Sequence, residues 1–425
     1  MAMSSVSFKG CTMFRHRIVC ATLAGKPIRI TDIRANTDGP GLRDFEASFL
    51  RLVEKVTNGC MIEINDTGTK LRYKPGMIVG GSGIEHDCGK SRGASCLRPK
   101  AATLPRFFYD RPNSNAPSET PMPRNKHLCC IPSKNKPLTA VSSLQCIILQ
   151  CSHHLPAGIG WFLEGLLLLA PFAKAPLSIT LKGLTNDETG LCVDSLRTVT
   201  LPLLKNFGIS DGLELRVLKR GARPEGGGEV LFRCPIVKAL KPMELVNVGQ
   251  VRRVRGVAYA AKVSPQIPNR VVDAAKSVLT KVLPDVYVYT DHYRGANAGL
   301  SSGYGLSLVA ETTNGCLYGA EASAEPGGAA EDVGLMAAKV LLQEVANGGC
   351  VDSSNQGMVL LFAVLGPEDV SRVRLGKLSP FTVKLLRLLR EMFGVTFKIK
   401  TDEESKTLLL SCLGVGYSNV ARGIA

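Results

Sequence analysis

The alternation of apolar and polar positions divides the chain into short strands and helices separated by glycine and proline turns. Residues 17–24 are largely apolar and end in the turn Gly25-Lys26-Pro27; Ile28, Ile30 and Ile33 then follow as a strand. After the turn 38–41, Phe45, Phe49, Leu52 and Val56 recur on one helical face, with Asp44 as N-cap and Gly59 as the stop. Residues 61–64 start another strand, and 161–233 alternate apolar segments with turns up to the triplet at 226–228. Residues 248–326 read as a compact unit with strands at 251–260, 286–289, 307–311 and 315–318 and a helix at 268–282. Residues 331–345 predict a helix with Leu335, Ala338, Leu342 and Val345 inward. The run 359–365 predicts a buried strand, and 382–393 a helix with Leu386, Leu389 and Phe393 on one face. Strands at 395–399 and 408–412 close a sheet. No parallel βαβ series dominates, so the fold class is α+β.

One stretch breaks this pattern. Residues 94–158 hold nine of the 24 prolines, five of the 14 cysteines and three of the six histidines, carry a charge of +6, and sustain neither period. The middle, 111–136, has a Pro/Asn/Ser-rich composition that predicts disorder, and the whole of 94–158 is expected to be a disordered surface insertion. His127, Cys129, Cys130, Cys146, Cys151, His153 and His154 lie here, but their spacing matches no common zinc pattern, so no metal site is expected.

Composition adds the charge. The chain has 425 residues, 45% of them hydrophobic and 21% charged, which excludes wholesale disorder, collagen and coiled coil. Lys and Arg number 52 against 36 acidic residues, a formal charge of +16 that points to a polyanionic partner such as nucleic acid. The cysteines form no CxxC pair and read as reduced thiols in an intracellular compartment. The N-terminus has no apolar core of signal-peptide length, and the most apolar run, 161–172, is too short to cross a bilayer about 30 Å thick. A soluble protein without a membrane partner is expected.

The segment from Arg220 to Val230 is the most specific motif. Arg220, Gly221, Pro224, Gly226, Gly227 and Gly228 sit at the spacing of a motif that resembles the RNA 3′-terminal phosphate cyclase family. Ile33-Arg34-Ala35-Asn36 with Pro40-Gly41-Leu42-Arg43, Ser264-Pro265, Asp291-His292 and Glu331-Asp332-Val333-Gly334 agree with it. The resemblance covers nearly everything outside 94–158, and phrases such as GPGLRDFEASFLRL and EDVSRVRLGKLSP are similar to the eukaryotic cyclase-like branch. It implies three βαβαββ units in a discontinuous large domain, 7–247 and 327–420, with a smaller α/β domain inserted at 248–326. Deleting 94–158 restores the branch's ungapped phrase, HDCGKSRGIGWFLEG. A retained intron would explain this. It would run from GT within a GGT codon at Gly93 to AG ending at the first base of the Gly158 codon; genomic DNA without those dinucleotides would sink the idea. Without the segment the charge is still +10.

The chemistry of the family does not carry over. Cyclisation needs a histidine to form a nucleotidyl intermediate. In the matching segment, Gly376-Lys377-Leu378-Ser379-Pro380-Phe381-Thr382, Phe381 stands at the family's histidine position and has no lone pair. No nearby histidine replaces it; the nearest in sequence is His292, on another predicted domain. The family's early glycine-rich nucleotide loop aligns with Phe8-Lys9-Gly10-Cys11, though Arg15 matches, and its Gln-His pair is Phe45-Glu46. ATP-dependent cyclisation is therefore expected to be lost, and no cofactor is expected.

What remains is a basic surface. Arg34, Arg43, Lys90, Arg92, Arg252, Arg253, Arg255, Arg372, Arg374 and Lys377 are the candidate RNA contacts, although 252–255 also reads as a solvated strand face. Arg390 and Glu391 are the acid–base candidates for an endoribonuclease; a salt-bridged surface helix is the plainer reading. His86-Asp87 reads as a structural pair, since no nucleophile accompanies it. The resemblance implies a nucleolar factor in maturation of the small ribosomal subunit, working with precursor rRNA, a small nucleolar ribonucleoprotein and a partner GTPase. The rivals are an endoribonuclease, a cyclase with another nucleophile, and a protein scaffold that never touches RNA. No run of five or more Lys/Arg supplies a nuclear signal.

Overall fold

Residues 5–89, 157–187, 190–325 and 327–419 are described by a computed structural model. In the first sheet, β1 (Val6–Lys9) and β2 (Ile28–Thr31) are parallel and joined by α1 (Phe14–Ala24). The 17–24 stretch belongs to this helix. It is buried almost all round, so its apolar residues show no single face. α2 (Asp44–Val56) leads on to β3 (Met61–Ile64) and β4 (Leu71–Lys74), giving the order β1-β2-β4-β3. α2 buries Phe49, Leu52 and Val56, as its period predicts. Asp44 is its first helical residue, not its cap: extended Arg43 takes that place, and the Glu46 carboxylate accepts the Arg43 N–H at 2.9 Å.

The second sheet has the order β5-β6-β8-β7, from β5 (Gly81–Asp87), β6 (Leu177–Gly183), β7 (Glu214–Lys219) and β8 (Gly228–Cys234). β5 and β6 are parallel; α3 (Ile159–Leu169) lies between them in sequence, and a helical run, 193–205, links β6 to β7. The stretch 94–158 falls between β5 and α3. All of it but Ala157 and Gly158 lies outside the described residues, including its histidines and cysteines; Lys90 and Arg92 do too. Its described flanks are tied to one strand end. Cys88 N–H donates to Lys182 O at 2.9 Å, and Ile159 N–H donates to Leu184 O at 2.7 Å.

After β9 (Glu244–Leu245) comes a sheet with its own helices: β10 (Val251–Ala261), α4 (Gln266–Leu279), β11 (Val286–Tyr293), β12 (Gly303–Thr312) and β13 (Leu317–Ser323), in the order β11-β10-β12-β13. α5 (Ala330–Asn347) packs on it. The apolar cluster joining Val254, Val271, Leu279 and Leu308 also takes in Val333, Ala337 and Leu341, so this packed unit continues past residue 326. The chain then passes through α6 (Gln356–Leu365) to β14 (Val370–Leu375), α7 (Pro380–Phe393), β15 (Lys398–Asp402) and β16 (Thr407–Leu413), which join β9 in the order β9-β14-β16-β15. The remaining sheets share one large apolar core. The architecture is mixed α+β, with each four-stranded sheet combining one parallel and two antiparallel pairings.

Three sequence readings change. Residues 359–365 are helix, not strand; an unbroken apolar run fits either element when both faces are buried, and all seven positions are. α5 turns Val333, Ala337, Leu341 and the polar Glu344 inward, with Leu335 and Leu342 only half-buried. α7 buries Thr382, Leu385, Leu388, Leu389 and Met392, a face rotated from the expected one. Each buried face includes a polar residue that a hydropathy pattern does not place there, Glu344 in α5 and Thr382 in α7.

Candidate functional site

Phe381 is the second residue of α7. Ser379 caps that helix, its hydroxyl accepting the Thr382 N–H at 3.1 Å, and Pro380 fills the first helical position. The Phe381 ring remains 37% exposed. Its inner edge meets the His16 ring, with centroids 4.9 Å apart and planes at 72°. A methyl group on Gly357 would come within 3.0 Å of the ring. The cavity behind it, lined by His16, Glu164, Thr200, Asn355, Met358 and Phe381 among others, measures about 30 Å³. That accommodates a water or two, whereas pockets for small-molecule ligands run to about 300 Å³ or more. These residues do not fit a nucleotide.

His16 corrects a sequence reading. It does sit beside Phe381, brought there by α1, where the nearest histidine in sequence had been His292. It is no free nucleophile, however. Its side chain is buried, and burial, then the Arg15 charge, hold its pKa well below the usual 6.5. Arg15 is also engaged: it pairs with Glu164, donates to Trp161 O at 2.5 Å, and lies 5.0 Å from the Trp161 ring centre. Burial and Arg15 thus keep His16 neutral, and Phe381 covers one side of it.

The other two departures from the family pattern are also built into the fold. Arg17 lies over the Phe8 ring at 4.7 Å and donates to Gly10 O at 2.7 Å and Lys9 O at 3.3 Å. The loop aligned with the nucleotide loop thus turns carbonyls toward a guanidinium. Phe45 meets Trp161 edge-on at 5.0 Å, and Glu46 receives both nitrogens of Arg34 at 2.7 and 2.6 Å. Phe8, Phe45 and Glu46 thus each have a packing or ion-pair partner. His86 is buried as well; its Nε2 is 3.1 Å from the Ser48 hydroxyl, and burial pushes its pKa down to about 4.

The Arg220–Gly228 motif turns out to be a clamp between two sheets. Arg220 is fully buried and bonds Asp194 with two nitrogens at 2.6 and 3.1 Å and Asn186 at 3.1 Å. Its guanidinium lies 4.6 Å from the Tyr259 ring centre on β10 and 5.0 Å from that of Tyr293 on β11. Burial works against the charge, but Asp194 outweighs it and raises the Arg220 pKa. Backbone bonds complete the joint: Arg220 N–H to Asn297 O, Gly299 N–H to Arg220 O and Leu300 N–H to Gly226 O. Gly221 and Gly228 are required because a side chain on either would run into the other's backbone. Gly226 and Gly227 have φ of 69° and 73°. On β13, Glu321 adds a second tie, accepting from the Ser195 hydroxyl at 2.6 Å and the Cys192 N–H at 3.0 Å; burial raises its pKa to about 7.

The candidate basic residues fall into separate groups. Arg34 is consumed by Glu46, and half-buried Arg43 is close enough for their charges to interact. Arg252 and Arg253 both reach Glu311, at 3.6 and 2.6 Å, and Arg255 takes Asp285 with two nitrogens at 2.7 and 2.9 Å. On β14, Arg372 pairs with Glu244 at 3.3 Å and Arg374 with Asp402 at 2.6 Å; Lys377 just beyond is exposed. Arg390 and Glu391 are exposed on α7, and Glu391 acts electrostatically on Arg17. Among the described residues, no group of three or more His, Cys, Asp or Glu could hold a metal, each cysteine is a free thiol, and no helix is long and apolar enough to cross a membrane.

The family described as RNA 3′-terminal phosphate cyclase matches residues 6–399. A "Probable RNA 3'-terminal phosphate cyclase-like protein" of Dictyostelium discoideum is 47% identical, over 98% of this chain and 99% of its own. The human "RNA 3'-terminal phosphate cyclase-like protein" is 45% identical, over 98% of each chain. The "rRNA processing protein rcl1" of Schizosaccharomyces pombe is 40% identical, again over 98% of each. With a family model matching residues 6–399 and relatives matched nearly end to end, the chain belongs to the RNA 3′-terminal phosphate cyclase family.

Proposed function

We propose that this chain is a non-catalytic, cyclase-like ribosome assembly factor, needed for precursor rRNA processing and biogenesis of the small (40S) subunit in the nucleolus. The observation that carries the reading is the filled catalytic centre, in which Phe381 packs against a buried, neutral His16 over a cavity of about 30 Å³. The fission-yeast relative named for rRNA processing supports the direction of the reading. Precursor rRNA, a small nucleolar ribonucleoprotein particle and an assembly GTPase are the proposed partners. The three sheets that share the large core have the same strand order and helical connections, so we read them as three βαβαββ units, with the β10–β13 sheet inserted in the third.

Depletion of the protein, followed by rescue, tests this. Unprocessed small-subunit precursor should accumulate, and rescue should succeed with Phe381→Ala, because no nucleotidyl chemistry is involved. An unchanged precursor profile would remove the ribosome role. Cleavage of a precursor fragment by the purified chain, lost in Arg390→Ala or Glu391→Ala, would replace it with an endoribonuclease. A stable adduct with labelled ATP would replace it with an active cyclase.

A further inference from the structure

The sheet β11-β10-β12-β13 has one face packed on α4 and α5 and another that is open at one end. On β10, Val254, Gly256 and Ala258 are buried, and the alternate positions Arg253, Arg255 and Val257 are half-buried on the other face. Register sets Arg255 beside Tyr287 and Val257 beside Tyr289 on β11, an edge strand. Val288, between the two tyrosines, is buried, whereas Tyr287 and Tyr289 are 51% and 58% exposed. Their rings touch edge to face, with centroids 4.6 Å apart and planes at 75°. An irregularity in the β10–β12 register between Val251 and Arg253 accompanies the convergence of both Arg252 and Arg253 on Glu311. Three guanidinium groups thus share this end of the face with two carboxylates, Glu311 and Asp285. The bidentate Asp285 contact fixes the Arg255 fork beside the rings.

Two large rings so exposed on adjacent outward positions are unusual on a sheet with a satisfied core. A peptide adding to the edge of β11 would bond to backbone and would need no aromatic pair. A nucleobase needs such a ring face, and its flanking phosphates need fixed cations. Duplex RNA keeps its bases stacked internally and has none to offer. We propose that this open face binds single-stranded RNA, a base stacking on Tyr287 or Tyr289 and the adjoining phosphates meeting Arg252, Arg253 and Arg255. This rests on the reading above that the protein works on precursor rRNA, and it names where that RNA would be held.

The test is fluorescence anisotropy with the full chain and a labelled single-stranded uridine 12-mer at several salt concentrations. Tyr287→Ala with Tyr289→Ala should weaken binding at least tenfold, while Tyr287→Phe with Tyr289→Phe should stay within about twofold, since stacking needs the ring and not the hydroxyl. Arg255→Ala should lower the slope of log affinity against log salt by about one. Circular dichroism melts of all variants should match the parent. Binding by the parent that the alanine pair leaves unchanged would overturn this site. So would equal loss in the phenylalanine pair, loss of a protein partner without loss of RNA, or no binding by the parent at all. The precursor rRNA profile after depletion decides the broader reading separately: accumulation with an RNA-indifferent tyrosine pair would leave that reading standing and remove only the platform.

Discussion

Two regions of the molecule use similar residues to opposite ends. Around Phe381, a phenyl ring, an imidazole and the Arg15 guanidinium are packed so tightly that about 30 Å³ is left. On the open end of the β10–β11 face, two tyrosines and Arg252 are exposed, and Arg253 and Arg255 are half-buried beside them. In the first set His16 is closed in, burial and the Arg15 charge together hold it neutral, and the cavity is too small for a nucleotide. The second keeps access while salt bridges fix its cations. Access and preorganisation, more than residue type, distinguish the two regions.

The largest predicted effect breaks the joint on which the open face depends. Arg220→Ala removes the buried partner of Asp194 and both tyrosine contacts. Asp194 then keeps only Asn186 and the more distant Arg197, at 3.9 Å, and breaking a buried pair in this way costs about 3–5 kcal/mol. Denaturant unfolding should show a loss of that size, and RNA binding should fall with it. Arg220→Lys keeps the charge but loses the two-nitrogen grip, so it should fall between. If Arg220→Ala unfolds like the parent, the motif is no clamp. Phe381→His comes next, on the closed side. Placing there the histidine that the resemblance implies should give no labelled ATP adduct above background, because the loop 8–11 and the small cavity still lack room for a nucleotide. An adduct would show that one side chain alone had silenced the site.

The sequence made some of this legible and hid the rest for physical reasons. α2 was readable because its apolar stripe keeps a helical period between two turns. α6 was not, because Val359 to Leu365 is buried on every side and shows no period. α7 misled because Thr382, polar yet fully buried, is satisfied by Ser379 and Gln356, a choice that no hydropathy pattern displays. The Arg220–Gly228 motif stood out, but its job did not, since Tyr259 and Tyr293 sit on a different sheet. His16 beside Phe381 carried no sequence signal at all; only the packing of α1 against α7 brings the rings together. The Val286–Tyr289 alternation carries the signal of an outward tyrosine pair, but the basic surface read from the sequence comprises only Lys and Arg, among them Arg252, Arg253 and Arg255.

A smaller effect is expected from removing residues 94–158. Cys88 and Ile159 are tied to carbonyls two residues apart at the end of β6, so both flanks are placed without the intervening stretch. The deletion variant should fold, melt at least as high as the full chain, and rescue precursor processing; failure to fold would make the stretch part of the architecture.

The smallest effect is a pH slope. His86 is held at about pKa 4 by burial, and His16 lies well below its usual value, so between pH 6.5 and about 4 the unfolded chain binds more protons than the folded one. These histidines therefore make stability fall as pH drops through that window. Glu321 acts in the opposite sense. Burial raises it to about 7, so the folded state holds more protons between its ordinary 4.5 and 7, and its contribution is lost as pH rises through that range. In Glu321→Gln that opposing contribution disappears, so unfolding midpoints measured from pH 4.5 to 7 should climb more steeply with pH than in the parent. In His86→Asn they should climb less steeply. Identical slopes in all three proteins would mean that Glu321 and His86 titrate as exposed groups, and that the tie from β13 to the Cys192–Ser195 turn is looser than its 2.6 Å bond indicates.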